Sequence, residues 1–103
     1  FAKLDLRVGI VVSAERVKKK DRLLDLRIDT GDAEPRRIVS GIAAHYAPEQ
    51  LVGKRVVVLC NLQPRDFGKG LVSEGMLLTG EIGAALKVLT IEGGDAPGGT
   101  PVG

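Results

Sequence analysis

The residues most able to do chemistry are basic and clustered. Arg16, Lys18, Lys19, Lys20 and Arg22 crowd one short stretch, although the whole chain carries a formal charge of only +2. Lysines gathered in this way attract phosphates without reading sequence, while a solvated turn is the plainer use of such a run. Gly68, Lys69 and Gly70 lack the preceding glycine and following Ser or Thr of a phosphate loop, so they read as a flexible turn from which Lys69 reaches a phosphate. The other reactive types stand apart. His45 has no Ser, Cys or carboxylate in triad-like order, and Cys60 sits in VVVLCNL as a small buried hydrophobe would. Asp66 and Glu74 are eight residues apart with nothing to set them up as an acid and base. One cysteine and one histidine make neither an internal disulfide nor a metal cluster of usual spacing. The expectation is a binding protein with no catalytic centre, metal or cofactor.

The elements that must position these groups read as strands. Arg7–Ala14 (RVGIVVSA) is β-branched with apolar residues on both faces, and Gly9 is expected to mark a bulge or sharp bend. In Leu23–Thr30, Leu24, Leu26 and Ile28 share one face while Asp25, Arg27 and Asp29 share the other. Gly31, Asp32 and Pro35 turn the chain into Arg37–Gly41, its antiparallel partner. Ile42–Leu51 reads as a small helix, with Pro48 in its first turn and Gly53 just past its end. Lys54–Leu62 does not alternate, which predicts a strand buried on both faces. Gln63–Gly70 is a turn segment, Val72–Glu81 and Ala85–Ile91 are further strands, and the Gly- and Pro-rich tail from Gly93 is loop with room for one short pairing.

This order predicts an all-β domain with one short helix: an OB-fold, a five-stranded Greek-key barrel, with a C-terminal extension. An SH3-like barrel also accommodates short strands, but a helix after the third strand favours the OB type. A length of 103 residues suits one domain, 1–103. With 44% hydrophobic and 27% charged residues the composition is that of a soluble globular protein. No apolar run approaches the roughly 20 residues of a spanning helix, and no signal-peptide pattern opens the chain, so a cytoplasmic setting is expected and a membrane partner is not. The chain begins at Phe1, which leaves open processing, incompleteness, or origin in something longer.

Five segments in order carry a resemblance: FAKLDLRVG at Phe1–Gly9, RIVSGI at Arg37–Ile42, YAPEQLVGK at Tyr46–Lys54, NLQP at Asn61–Pro64 and SEGMLL at Ser73–Leu78. Together they are similar to the tRNA-binding domains found at the C-terminus of methionyl-tRNA synthetase and in free-standing structure-specific tRNA-binding proteins. The resemblance implies a noncatalytic module of protein biosynthesis that binds tRNA on one barrel face, near Ser40, Asn61 and Ser73 through Met76. Ser and Asn hydrogen-bond to phosphate and ribose, Gly75 lets the backbone come close, and the Met76 thioether can lie against a base. Within the triplet around Glu74, Glu74 is expected to hold the loop by accepting backbone N–H bonds, leaving Ser73 and Met76 to face the ligand.

One stretch departs from the family. Many relatives carry His, Pro and Asn before an Asp and a Lys in the first connection, where this chain has Val17, Lys18, Lys19, Lys20, Asp21 and Arg22. A polar motif has become a basic one, and phosphate attraction by the lysines is the expected replacement. The 3% aromatic content argues against a general single-strand binder, so shape and backbone recognition is expected. The resemblance also implies a homodimer, to which Leu86, Val88, Leu89 and Ile91 would contribute apolar surface, and a possible fused or associated synthetase catalytic region. An export-chaperone-like dimeric peptide binder of the same fold family is the alternative function.

Overall fold

A computed structural model describes residues 3–103; Phe1 and Ala2, the start of the first matched segment, lie outside the described residues. Its main sheet is five-stranded and antiparallel, built from β1 (Leu6–Val17), β2 (Lys20–Asp29), β3 (Arg36–Ser40), β4 (Arg55–Leu59) and β7 (Met76–Leu77) in the order β3-β2-β1-β4-β7. The short strands β5 (Arg65–Asp66) and β6 (Val72–Ser73) pair with each other, as do β8 (Thr79–Ile82) and β9 (Ala85–Val88). The architecture is an OB-like barrel.

The long strand β1 serves two neighbours. Leu6–Ile10 pairs with β4 and Ile10–Val17 with β2. The register shift between Val11 and Ser13 leaves Val12 as an extra, half-exposed residue, and this bulge bends β1 between its two partners. Gly9, expected to be the bulge, lies instead in regular pairing opposite Val56. Its role is close approach, because a Cβ there would run into the Ile28 Cγ2 methyl of β2.

Alternation in β2 builds the core. Leu24, Leu26 and Ile28 are fully buried and pack with Val11, Ile38, Ile42, Leu51, Val56, Val58 and Leu77. Val56 through Leu59 are all buried, as the unbroken apolar run predicts. The strand itself stops at Leu59, short of the expected Leu62. Cys60 then uses its N–H on the Asp5 carbonyl (2.8 Å).

The small helix is shorter than its pattern. Only Pro48–Gln50 forms a single 3-10 turn, because Ala47 precedes proline and is extended at φ −75, ψ 144. The Ala47 N–H donates to the Gln50 side chain instead (2.7 Å). The expected strand over Val72–Glu81 is broken into β6, β7 and β8 around Gly75 and Leu78. The tail makes its one short pairing along β1: Val8 N–H donates to the Thr100 carbonyl and Gly99 N–H to the Val8 carbonyl, both at 2.8 Å.

The barrel seam between β3 and the Ser73–Gly75 turn is closed largely by side chains. Glu74 N–H donates to the Arg37 carbonyl (2.8 Å), and Arg37 N–H returns a bond to Glu74 Oε1 (3.0 Å). Val39 N–H donates to the buried Ser73 Oγ (2.9 Å), which in turn donates to the Gly75 carbonyl (2.9 Å). These bonds satisfy edge donors that a full strand would otherwise pair.

Candidate nucleic-acid interface

Two basic loops meet on the barrel surface. Lys18 and Lys19 form the tip of the β1–β2 hairpin, with Lys19 left-handed at φ 65, and both are exposed. Lys20 opens β2 and lays its ammonium over Gly68, 3.1 Å from where a Cβ on that glycine would stand. A side chain at position 68 would press on the Lys20 ammonium and would be strained by the φ of +118 there. Lys69, also left-handed at φ 52, is exposed in the same turn.

Beside this basic rim runs a groove of about 350 Å³ lined by Val39, Leu62, Gln63, Arg65, Phe67, Ser73, Gly75 and Met76. Met76 and Leu62 are the exposed apolar walls. The side chains of Arg65, on the short strand β5, and Phe67, just after it, stack, the guanidinium carbon 4.4 Å from the ring centroid. The nearby acids are engaged. Asp66 accepts the Gly68 N–H (2.8 Å) and Glu74 accepts the Arg37 N–H, so each carboxylate holds a loop in place.

Six of the sequence-marked residues fall into two groups. Lys18, Lys19, Lys20 and Lys69 form the rim, and Gly75 and Met76 line the groove. Ser73 borders the groove with a buried side chain, and its hydroxyl accepts the Val39 N–H and donates to the Gly75 carbonyl within the seam. Glu74 holds the loop as expected. Ser40 lies in register with the fully buried Leu24, so it shares the core-facing side of the sheet, while its neighbour Val39 lines the groove. Asn61 braces the N-terminal segment: its Oδ1 accepts the Asp5 N–H (3.0 Å) and its Nδ2 donates to the Lys3 carbonyl (2.5 Å). Arg22 is exposed, and its carbonyl accepts the Ala43 N–H (3.1 Å). Sequence reasoning missed Arg65, Phe67 and Leu62. The signal available was the spacing of Arg65 and Phe67 in RDF, which puts both on one side of a strand.

An ion network supports the groove from below. Arg36 donates to Asp32 (2.7 Å), to the Cys60 carbonyl (2.8 Å) and to the Glu74 carbonyl (3.0 Å). Arg7 forks onto both Asp5 oxygens and reaches Asp32. The hydrogen bond from Arg36, then that from Thr30, pulls the Asp32 carboxyl down to about 2. Burial pushes the Cys60 thiol up, against a smaller opposing pull from Arg36 and Arg7, so it stays protonated and unreactive at neutral pH. On the outer face of β2 and β3, Arg37 lies 3.4 Å from Asp25.

Elsewhere, a cleft of about 320 Å³ between Lys54, Arg55 and the Thr90–Gly94 tail holds none of the residues marked for tRNA binding. Among the described residues no group of three or more His, Cys, Asp or Glu stands together, and no helix is long and apolar enough to cross a membrane.

A basic rim beside a small groove on an OB-like barrel is an arrangement suited to nucleic acid. The family model described as "Putative tRNA binding domain" matches residues 6–101. This chain belongs to that family. Among curated proteins, a methionine–tRNA ligase of Parabacteroides distasonis is 54% identical over 99 residues, 95% of this chain and 14% of the ligase. One from Lactococcus lactis is 45% identical over 104 residues, 100% of this chain and 16% of the ligase. The chain thus spans about one-sixth of these relatives or less. Among solved structures, a MetRS-related protein of Pyrococcus horikoshii superposes with TM-score 0.90 at 36% identity, covering 99% of this chain and 92% of that one. The chaperone CsaA of Bacillus anthracis gives TM-score 0.88 at 31% identity, covering 100% and 93%.

Proposed function

We propose that residues 1–103 act as one noncatalytic domain that binds tRNA across the groove and its basic rim, recognising the folded shape and backbone. The observation that supports this reading is the meeting of the two basic loops, Lys20 over Gly68, beside the groove. Lys18, Lys19, Lys20 and Lys69 supply phosphate contacts, with Arg22 extending the same charge, and Gly75 and Met76 give the ligand close access. Asn61 acts by bracing the N-terminal segment beside that surface. The domain serves either as a cytoplasmic appendage that raises a methionyl-tRNA synthetase's affinity for its substrate or as a free-standing binder. It works as a homodimer, in which the exposed Ile82 and Leu89 would be covered by a second copy.

The test is a tRNA titration over a range of salt. About 4 phosphate contacts give a slope of log affinity against log salt near −3, at roughly 0.7 to 0.9 per contact. Removing Lys18, Lys19 and Lys20 together flattens that slope. Absence of tRNA binding at low salt rules the reading out. A second reading, chaperone-like peptide binding, draws on the apolar walls of the groove and the likeness to CsaA. Under it, unfolded peptide displaces tRNA from the same surface.

A further inference from the structure

Shape and phosphate recognition leave the middle of the groove without a task. Arg65 of β5 and Phe67, just past its end, stack on each other, while Asp66 between them is bonded to the Gly68 N–H. The guanidinium and ring stack at 4.4 Å and form one wall; Met76, 45% exposed, and Leu62, 41% exposed, supply apolar surface around the same space. Pockets for small organic ligands run from about 300 to 1,000 Å³. At about 350 Å³ this one suits a single planar ring, not a run of bases. A π-bearing, apolar slot with positive charge at its rim, and with the adjacent carboxylates committed to backbone N–H groups, matches a base between two phosphates.

We propose that this groove takes one unstacked, unpaired nucleobase of the tRNA, laid against the Arg65–Phe67 pair, while Lys20 and Lys69 reach the flanking phosphates. The inference rests on the reading that this face binds tRNA, and it adds a contact that a purely backbone-directed surface lacks. One such slot is compatible with an aromatic content of 3%, because it anchors a single exposed base of a folded RNA and does not track a strand. Stacking on a π-face tolerates any base, so the slot selects for an unpaired position rather than for a sequence.

The experiment compares Phe67→Leu, which keeps apolar bulk, and Arg65→Lys, which keeps charge, with a Lys20→Ala/Lys69→Ala double variant, each checked for an unchanged melting temperature. Each of the first two variants is expected to weaken tRNA binding by about fivefold or more, the lower end of a stacking contact, with the salt slope unchanged. The lysine variant should flatten the slope. In competition against tRNA, a single-stranded RNA heptamer should outcompete a heptamer abasic at every position, and Phe67→Leu should erase that difference. Equal competition by the abasic heptamer, or wild-type affinity in Phe67→Leu and Arg65→Lys while the lysine variant weakens, overturns the base slot and leaves the tRNA reading standing. Failure of the unaltered protein to bind tRNA removes both. Displacement of tRNA by an unfolded peptide whose own binding needs Phe67 assigns the groove to peptide and overturns the proposal.

Discussion

Replacing Ser73 with alanine removes one hydroxyl and strands two backbone groups. The Val39 N–H loses its acceptor at 2.9 Å in a buried setting, and the Gly75 carbonyl loses its donor at 2.9 Å in a partly buried one. An unsatisfied buried polar group costs about 1–3 kcal/mol; the partly buried carbonyl recovers some hydration, so about 2 kcal/mol is expected overall. For a domain of this size that lowers the thermal midpoint by roughly 8–16 °C, read by circular dichroism or as a matching fall in the urea midpoint. tRNA affinity, measured at a temperature where the variant is folded, should change by less than about threefold, because Ser73 is buried and its hydroxyl proton is already donated to the Gly75 carbonyl. An unchanged midpoint together with a tenfold or greater loss of tRNA affinity would refute the reasoning and return Ser73 to the ligand face.

Two further predictions follow from close contacts and charge. Gly9→Ala places a methyl against Ile28 Cγ2 without any left-handed backbone to relax, and overpacking of this kind costs about 1–3 kcal/mol; a melting temperature equal to the wild type's would contradict it. Asp32 titrates at about 2 in the fold against an ordinary 3.8, so its pairing stabilises the protein above about pH 4 and is lost as pH falls toward 2. Asp32→Asn should therefore lower the urea midpoint at pH 7 and converge with the wild type near pH 2, by an amount that solvent screening keeps modest; a gap that stays constant with pH would contradict it.

Local periodicity carried much of the fold. Leu24, Leu26 and Ile28 announce the inner face of β2, and the unbroken apolar run after Arg55 announces a strand buried on both sides, because burial follows from side-chain direction and that is set by neighbours in sequence. What periodicity left unread has a common physical origin in contacts distant along the chain. Gly9 looks like a bend, yet its requirement comes from Ile28, nineteen positions on. Ser73 reads the same whether its hydroxyl faces an RNA or the Val39 N–H, thirty-four positions away. The shortened helix was the local exception: the Ala47–Pro48 step already disfavours α geometry before it. On the interface, the lysine clusters were legible as charge, but their meeting depends on Lys20 crossing to Gly68, which no spacing encodes. The Arg65–Phe67 pair is hard to read from sequence because a low aromatic count weighs against a stacking surface, although it says nothing about where a lone aromatic stands.

The seam and the groove are coupled through the turn they share. Ser73 and Glu74 bond outward strand β3 on one side, and Arg36, fixed by Asp32, holds the Glu74 and Cys60 carbonyls on the other. Gly75 follows directly, pressed so close to the Leu59 carbonyl that a Cβ would stand 2.8 Å from it, and Met76 then projects into the groove. A wall fixed from both sides loses little freedom when a ligand arrives, and such preorganisation raises affinity without adding contacts. On the reading that this face binds tRNA, the SEGM segment contributes in two distinct ways: its first two residues set the geometry of the wall, and its last two present it. Substitutions in Ser73 or Glu74 should consequently act on stability and only indirectly on affinity, whereas those at Met76 should act on affinity with little effect on the fold.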